Sequence, residues 1–162
     1  MIKAIMASDD KGGISKDGTM PWPKNSSDLR WFKKNTINQV VVMGSKTWED
    51  PFMPVPLKDR ENILITNKDH SYYPGANNYI SGDISQKLIE LEKKYLNKDI
   101  FVIGGSEIIK QTFNIFKEFY LTRIYGNFYC DKFIDINKIE LNMNLVKKIE
   151  CDESCHFEIW KK

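Results

Sequence analysis

Short apolar runs, each ending at small or polar residues, set the rhythm of this chain. Ile2 to Ala7 is the first, and it stops at Ser8-Asp9-Asp10-Lys11-Gly12-Gly13, which predicts a strand running into a loop. Gln39-Val40-Val41-Val42-Met43 and Asn62-Ile63-Leu64-Ile65-Thr66 are continuous rather than alternating, as expected of strands buried on both faces. Ile100-Phe101-Val102-Ile103 repeats the pattern and ends in Gly104-Gly105. Between these runs the apolar spacing becomes helical, with Ile84, Leu88, Leu91 and Tyr95 in one segment and Ile108, Ile109, Thr112 and Phe113 in another. From Phe119 onwards, Phe119 to Tyr125, Leu145 to Glu150 and His156 to Trp160 read as strands without long helices between them. The pattern predicts one α/β domain over residues 1–162, with a central, mostly parallel twisted sheet, flanking helices and an antiparallel C-terminal strand pair. No internal repeat or low-complexity tract interrupts it.

Two departures from this rhythm point to a site. The loop after Ala7 is long and continues through Asp17-Gly18-Thr19-Met20-Pro21-Trp22-Pro23. Apolar and aromatic residues near the end of such a loop suit a lid better than a plain connection. A helix follows, capped by Ser26 or Ser27 and ending near Thr36 to Asn38. On it Asp28 and Phe32 lie about 40° apart at roughly 100° per residue, flanked by Leu29 and Trp31, while Arg30, Lys33 and Lys34 mostly point elsewhere. A carboxylate therefore interrupts an apolar face. It reads either as an exposed helix-start charge or as an acid that pays desolvation until a cationic or amidine-like ligand edge meets it, with a raised pKa in the empty pocket.

Ligands in open parallel sheets gather at the C-terminal strand ends. Gly44-Ser45-Lys46-Thr47 and Gly104-Gly105-Ser106-Glu107 both stand there. Neither matches a nucleotide-hydrolase loop or the spaced glycines of the common dinucleotide fingerprint. Each is a tight strand-to-helix turn or, as a pair, a place for the two phosphates of a dinucleotide.

Composition narrows the partners. The chain has 162 residues, 41% hydrophobic and 28% charged, with a formal charge of +2 from 24 basic and 22 acidic side chains. These are scattered, so no basic stripe or block suggests nucleic acid or a membrane surface. No apolar run approaches the roughly 20 residues that span a bilayer, and the chain begins at Met1-Ile2-Lys3 without a leader pattern. A cytoplasmic protein is expected. The odd number of cysteines, Cys130, Cys151 and Cys155, favours free thiols in a reducing compartment. Cys151, Cys155 and His156 lack a second ligand group at metal spacing, so no metal is expected.

Taken in order, several stretches resemble the dihydrofolate reductase family over nearly the whole chain. They are Met20-Pro21-Trp22, Asp28 to Lys33, Val42-Met43-Gly44-Ser45-Lys46-Thr47-Trp48-Glu49, Arg60-Glu61-Asn62-Ile63, Val102-Ile103-Gly104-Gly105, Leu121-Thr122-Arg123-Ile124 and Phe157-Glu158-Ile159. The resemblance implies that Asp28 holds the pterin's amino and ring-nitrogen edge by a two-point hydrogen bond, supported by Thr122. It implies that Trp22 and Met20 position water, that Ile5, Ala7, Leu29 and Phe32 line the substrate slot, and that Arg60 clamps the substrate's glutamate carboxylate with Lys33 at the rim. Cofactor contacts would come from Ala7, Ile14, Gly44, Ser45, Lys46, Thr47, Thr66, Asn67, Lys68, Ile103, Gly104, Gly105, Ser106, Glu107 and Ile109.

NADPH is the implied cofactor, dihydrofolate the implied small-molecule substrate and a monomer the expected state. The reaction would supply tetrahydrofolate to one-carbon metabolism and thymidylate synthesis and mark an antifolate target. Two positions depart from the family pattern: Ser45 stands where many relatives carry arginine near the adenosine 2′-phosphate, and Glu107 occupies another position that is often basic. Lys46, Thr66, Asn67 and Lys68 remain to supply charge and donors. Gly12-Gly13 would loosen the lid, and Ile109 replaces an aromatic near the nicotinamide. The competing readings are another pterin or pyrimidine reductase on the same fold and a non-catalytic folate- or nucleotide-binding protein.

Overall fold

In the computed structural model, which describes residues 1–162, the continuous apolar runs become the middle of an eight-stranded sheet. β1 (Ile2–Ser8), β3 (Val40–Gly44), β4 (Glu61–Ile65) and β6 (Ile100–Val102) are parallel and almost wholly buried. They are joined by β5 (Asn78–Ile80) and β7 (Glu118–Ile124). The last two strands, β9 (Asn144–Asp152) and β10 (Cys155–Lys161), form a hairpin whose β10 pairs antiparallel with β7. Strand order is β5-β4-β3-β6-β1-β7-β10-β9. The predicted fold class is therefore observed, including the antiparallel finish.

Alternate residues of each strand point to opposite faces, and both faces are covered. Val40, Val42, Ile63, Ile2 and Ala4 pack with Ile84, Leu88 and Leu91 of α3 (Ile84–Lys94) and with Ile109 of α4 (Ser106–Thr112). On the opposite face Val41, Met43, Leu64, Phe101 and Ile5 meet Trp31 and Phe32 of α1 (Ser26–Thr36). Burying each large aliphatic side chain in these layers contributes about 1.5–3 kcal/mol. Helices on both faces leave the C-terminal strand ends open, and that is where the loops after β1, β3, β4 and β6 converge.

Several features were not expected. The lid contains β2 (Gly13–Ser15), which pairs with β8 (Lys132–Phe133), and α2 (Ser45–Trp48) is a single turn. α5 (Ile136–Asn142) precedes the final hairpin, capped by Asp135. α1 is capped by Asn25 rather than by Ser26 or Ser27: its side chain accepts the Asp28 N–H at 3.0 Å. Extended backbone at Asn25 sets the cap one residue early, which leaves both serines in the first turn.

The cysteines also differ from expectation. Cys151 and Cys155, with Cα atoms 5.8 Å apart, are joined in a disulfide, and only Cys130 is free. The β9–β10 turn brings the two sulfurs together, a pairing decided by hairpin register. No helix is long and apolar enough to cross a membrane.

Candidate active site

Strand register assembles one wall of the site. Ala7, Thr122 and Phe157 are neighbours across β1, β7 and β10, as are Ile5, Tyr120 and Ile159. Both rows share a face. Trp31 of α1 stacks on Phe157, with ring centroids 4.4 Å apart and planes 4° from parallel, and leans on Tyr120. These contacts fix α1 over β7 and β10. Asp28, one turn earlier on the helix, is brought beside Thr122 and is only 8% exposed.

Burial raises the Asp28 carboxyl above the ordinary range, and the neighbouring Thr122 hydroxyl pulls the other way without offsetting it. No basic side chain forms an ion pair with Asp28. The Thr122 oxygen is itself buried and makes no full hydrogen bond to another protein atom. Two polar groups with spare capacity thus face one another in an otherwise apolar wall. Such a pair suits a ligand edge that donates to the acid.

Around them Met20 and Leu29 keep 37% and 40% of their surface exposed, although both are large and apolar. That exposure defines an open cleft rather than a finished core. Phe32 is half-buried and lies 6.0 Å from the Arg60 guanidinium. Arg60 is positioned by bonds to Thr36 Oγ1 (3.1 Å) and the Lys58 carbonyl (2.9 Å). Asn62, buried, ties the same loop together through Leu57 and Arg60. Lys33 is exposed, on the last turn of α1. Trp22 is buried with Ile124, Cys155 and Phe157 and meets Phe128 edge-on at 5.8 Å.

The two glycine turns come together. Gly44 N–H donates to the Gly104 carbonyl at 2.9 Å, and Ile103 N–H donates to Val42. Gly104 has φ +126°, and a Cβ there would sit 3.3 Å from Thr47 Oγ1. A Cβ on Gly44 would meet Ile108 at 3.3 Å. Gly104 therefore favours glycine for its backbone conformation, whereas Gly44, at φ −78°, is limited only by the close approach of Ile108. Ser45, Gly105 and Ser106 are half-buried at this junction, whereas Lys46 and Glu107 are exposed. Glu107 receives a long bond from Gln111. Gly44 is in register with Ile65, so Thr66, Asn67 and Lys68 continue the same rim. Lys68 lies over the rings of Tyr72 and Tyr73.

Ile109 and Ile14 are buried in the larger core cluster. Ser106, Glu107 and Ile109 also border a separate cavity of about 860 Å³ between α4 and α5, which does not include Asp28.

The lid is pinned rather than loose, and its anchors were missed in the sequence. Asp9, wholly buried, accepts from the backbone amides of Lys11 (2.9 Å), Gly13 (2.9 Å) and Phe128 (3.0 Å). Burial alone would raise its pKa, but these donors win and hold it below the ordinary range. The Cys130 thiol beside it is pushed up to about 11 by burial and by the Asp9 charge. Further along, Lys16 and Thr19 close a tight turn, Asp17 N–H donates to Asp131 at 3.0 Å, and Asp131 N–H donates to the Ser15 carbonyl.

Gly12 and Gly13 are both buried, and a Cβ at Gly13 would overlap Cys130 at 2.5 Å. The pair allows close packing, contrary to the expectation of a looser lid. The signal available was Asp9-Asp10 ahead of glycine, a composition typical of side chains that bond nearby amides.

An open-ended α/β sheet thus brings a buried acid without a cation and two joined glycine turns to the same end of the molecule. Comparison with known proteins gives the family. The family model described as dihydrofolate reductase matches residues 1–161. Dihydrofolate reductase type 8 of Escherichia coli is 31% identical over 165 residues, covering 99% of this chain and 96% of that protein. The dihydrofolate reductase of Rattus norvegicus is 31% identical over 155 residues, covering 86% of this chain and 83% of that protein. Among solved structures, dihydrofolate reductase from Enterococcus faecalis, complexed with NADP(H) and RAB-propyl, superposes with a TM-score of 0.84 at 25% identity, covering 99% of this chain and 95% of that one. This chain belongs to the dihydrofolate reductase family.

Proposed function

We propose that this protein reduces dihydrofolate to tetrahydrofolate with NADPH, with Asp28 anchoring the pterin. The observation that carries the reading is the buried, cation-free Asp28 carboxyl beside a buried Thr122 hydroxyl that has no other protein partner. A pterin's amino and ring-nitrogen edge offers two donors to a carboxylate. Ile5, Ala7, Leu29 and Phe32 flank the ring and its aminobenzoyl extension. Arg60, held by Thr36 and Lys58, pairs with the glutamate carboxylate, and Lys33 lies at the rim.

The residues present fit a dinucleotide. Gly44 and Gly104 are joined backbone to backbone, and at the adjacent Gly105 a Cβ would meet only Thr47 Oγ1 at 3.8 Å, so a diphosphate can approach the backbone there. Lys46 and Lys68 supply positive charge at the rim that opposes Glu107 and favours NADPH over NADH. When bound, NADPH supplies the hydride received at C6 of the substrate.

Asp28 orients and polarises the ring but does not itself deliver the proton to N5. Water admitted between Met20 and Trp22 does so, and the lid anchored by Asp9 and Asp131 then excludes bulk solvent. The protein acts as a monomer in the cytoplasm. The test is steady-state oxidation of NADPH and NADH with dihydrofolate, and with a flavin-precursor pyrimidine as the competing substrate class. Dihydrofolate turnover with a preference for NADPH is expected; binding of both ligands without turnover would contradict the reading.

A further inference from the structure

The turn between β9 and β10 carries a group that the reaction does not use and touches one that it does. Cys151 and Cys155 are paired across this turn, Cys151 half-buried and Cys155 fully buried. Two of the three residues between them, Asp152 and Ser154, bond to the start of α1. Asn25 Nδ2 donates to Ser154 Oγ at 2.8 Å, and Ser27 Oγ donates to Asp152 Oδ2 at 2.6 Å. Asn25 is the N-cap whose side chain accepts the Asp28 N–H, so the turn grips the cap that fixes the start of the helix bearing Asp28.

Asp152 is also bonded by the Ser154 hydroxyl and amide. These donors hold its carboxyl down at about 2, so it stays an acceptor throughout the neutral range. A cleft of about 520 Å³, bordered by Trp22, Asn25, Ser27, Asp152 and Ser154, opens beside the pair.

We propose that Cys151 and Cys155 are a thiol–disulfide exchange site for low-molecular-weight dithiols and disulfides, and that its state sets how firmly the turn holds the α1 cap. A reductant thiolate attacks the accessible Cys151 sulfur. The Cys151–Cys155 bond breaks, a mixed disulfide forms on Cys151, and Cys155 takes a proton. The reductant's second thiol then attacks the mixed disulfide, releasing Cys151 as a thiol and leaving the reductant as a cyclic disulfide. Two electrons and two protons pass to the protein. The reverse reaction uses a small disulfide as oxidant, which is reduced to two thiols. With the pair closed, the five residues from Cys151 to Cys155 have little freedom, and Asp152 and Ser154 stay aligned with Ser27 and Asn25. With it open, the turn gains conformations that lack those bonds.

Only the effect on substrate rests on the reading of Asp28 as pterin anchor. The experiment compares the full-length protein equilibrated with dithiothreitol or with glutathione disulfide. Alkylation under denaturing conditions, read by intact mass, should find three reactive cysteines in the first sample and one in the second. Hydrogen exchange of the Asp28 and Leu29 amides should be about tenfold faster in the reduced protein, the order expected when so short a loop is released. The dihydrofolate KM should rise severalfold with kcat within about twofold.

Cys151→Ser should exchange at the reduced rate under both conditions. Ser154→Ala, which leaves the sulfurs intact, should speed exchange in the oxidised protein. Three reactive cysteines after oxidation, or equal exchange at Asp28 in the two states, overturns the proposal. A redox-dependent exchange rate in a protein that never turns over dihydrofolate would instead leave the exchange site standing and remove the substrate assignment.

Discussion

Replacing Asp28 by Asn should make this protein more stable and almost inactive. The carboxyl is buried and faces no cation of the chain, so its ionised form carries a desolvation cost in the ligand-free protein. The amide keeps the shape and removes the charge. Releasing a buried, poorly satisfied group of this kind returns about 1–2 kcal/mol, which for a chain of this size raises Tm by about 2–8 °C.

The sign with pH follows from the direction of the shift. Because the folded pKa is raised, the unfolded chain gives up the Asp28 proton first, and the wild-type penalty grows as pH rises from the unfolded to the folded value. The stability gap between variant and wild type should be larger at neutral pH than in acid and should close as pH falls below the ordinary carboxylate range. Circular dichroism melting at neutral pH and near pH 3 measures it, since other carboxylates titrate alike in both proteins. Turnover should move the opposite way. Two charge-assisted bonds at about 1.5–3 kcal/mol each imply a loss in kcat/KM of at least about a hundredfold. A variant no more stable than wild type at neutral pH, or one that turns over dihydrofolate normally, would refute the reasoning.

Other residues give separable effects. Asp131→Ala removes the acceptor that holds Asp17 and should lower kcat about three- to tenfold, the worth of one hydrogen bond, with little change in Tm; an unchanged kcat would detach this anchor from the lid. Gly104→Ala forces a Cβ into a positive-φ position against Thr47 and should raise the NADPH KM at least tenfold while folate-analogue binding, followed by tryptophan fluorescence, stays within about twofold.

Lys3→Met acts at the other end of the sheet. Lys3 is buried and pairs with Asp99 at 2.9 Å and Glu118 at 3.1 Å. Burial lowers its pKa, but these two partners raise it further, so its stabilisation is present through neutral pH and lost only above the ordinary lysine value. Removing it leaves Glu118 with Lys161 alone and should cost about 2–3 kcal/mol in urea melts, with kcat at 25 °C unchanged.

The parts of the fold that could be read from sequence were those with one dominant physical cause. Val40 to Met43 and Ile63 to Ile65 have no polar face, so only a doubly covered strand accommodates them. Asp28 was visible because it interrupts an apolar stripe. What escaped depended on contacts between distant residues. Asp9 bonds the nearby amides of Lys11 and Gly13, but it ties the lid to the rest of the fold because Phe128 and Cys130 come to meet it, and Asp131 does the same for Ser15 and Asp17. β2 and β8 are too short and too polar to show a period, and they exist because each satisfies the other's backbone. Asn25 takes the cap from the serines through its backbone conformation, and Cys151 finds Cys155 through the register of a hairpin. Gly12 and Gly13 differ from expectation because glycine marks either freedom or close approach, and only the positions of Ile134 and Cys130 decide between them.

The most direct test of the account is the fate of the transferred hydrogen. With NADPH deuterated at the transferring position, tetrahydrofolate made by the wild-type protein should carry one deuterium at C6, and Asp28→Asn should yield the same labelled product at least about a hundredfold more slowly. Unlabelled tetrahydrofolate, or labelled product formed as fast without the Asp28 carboxylate, would contradict the assignment of this site.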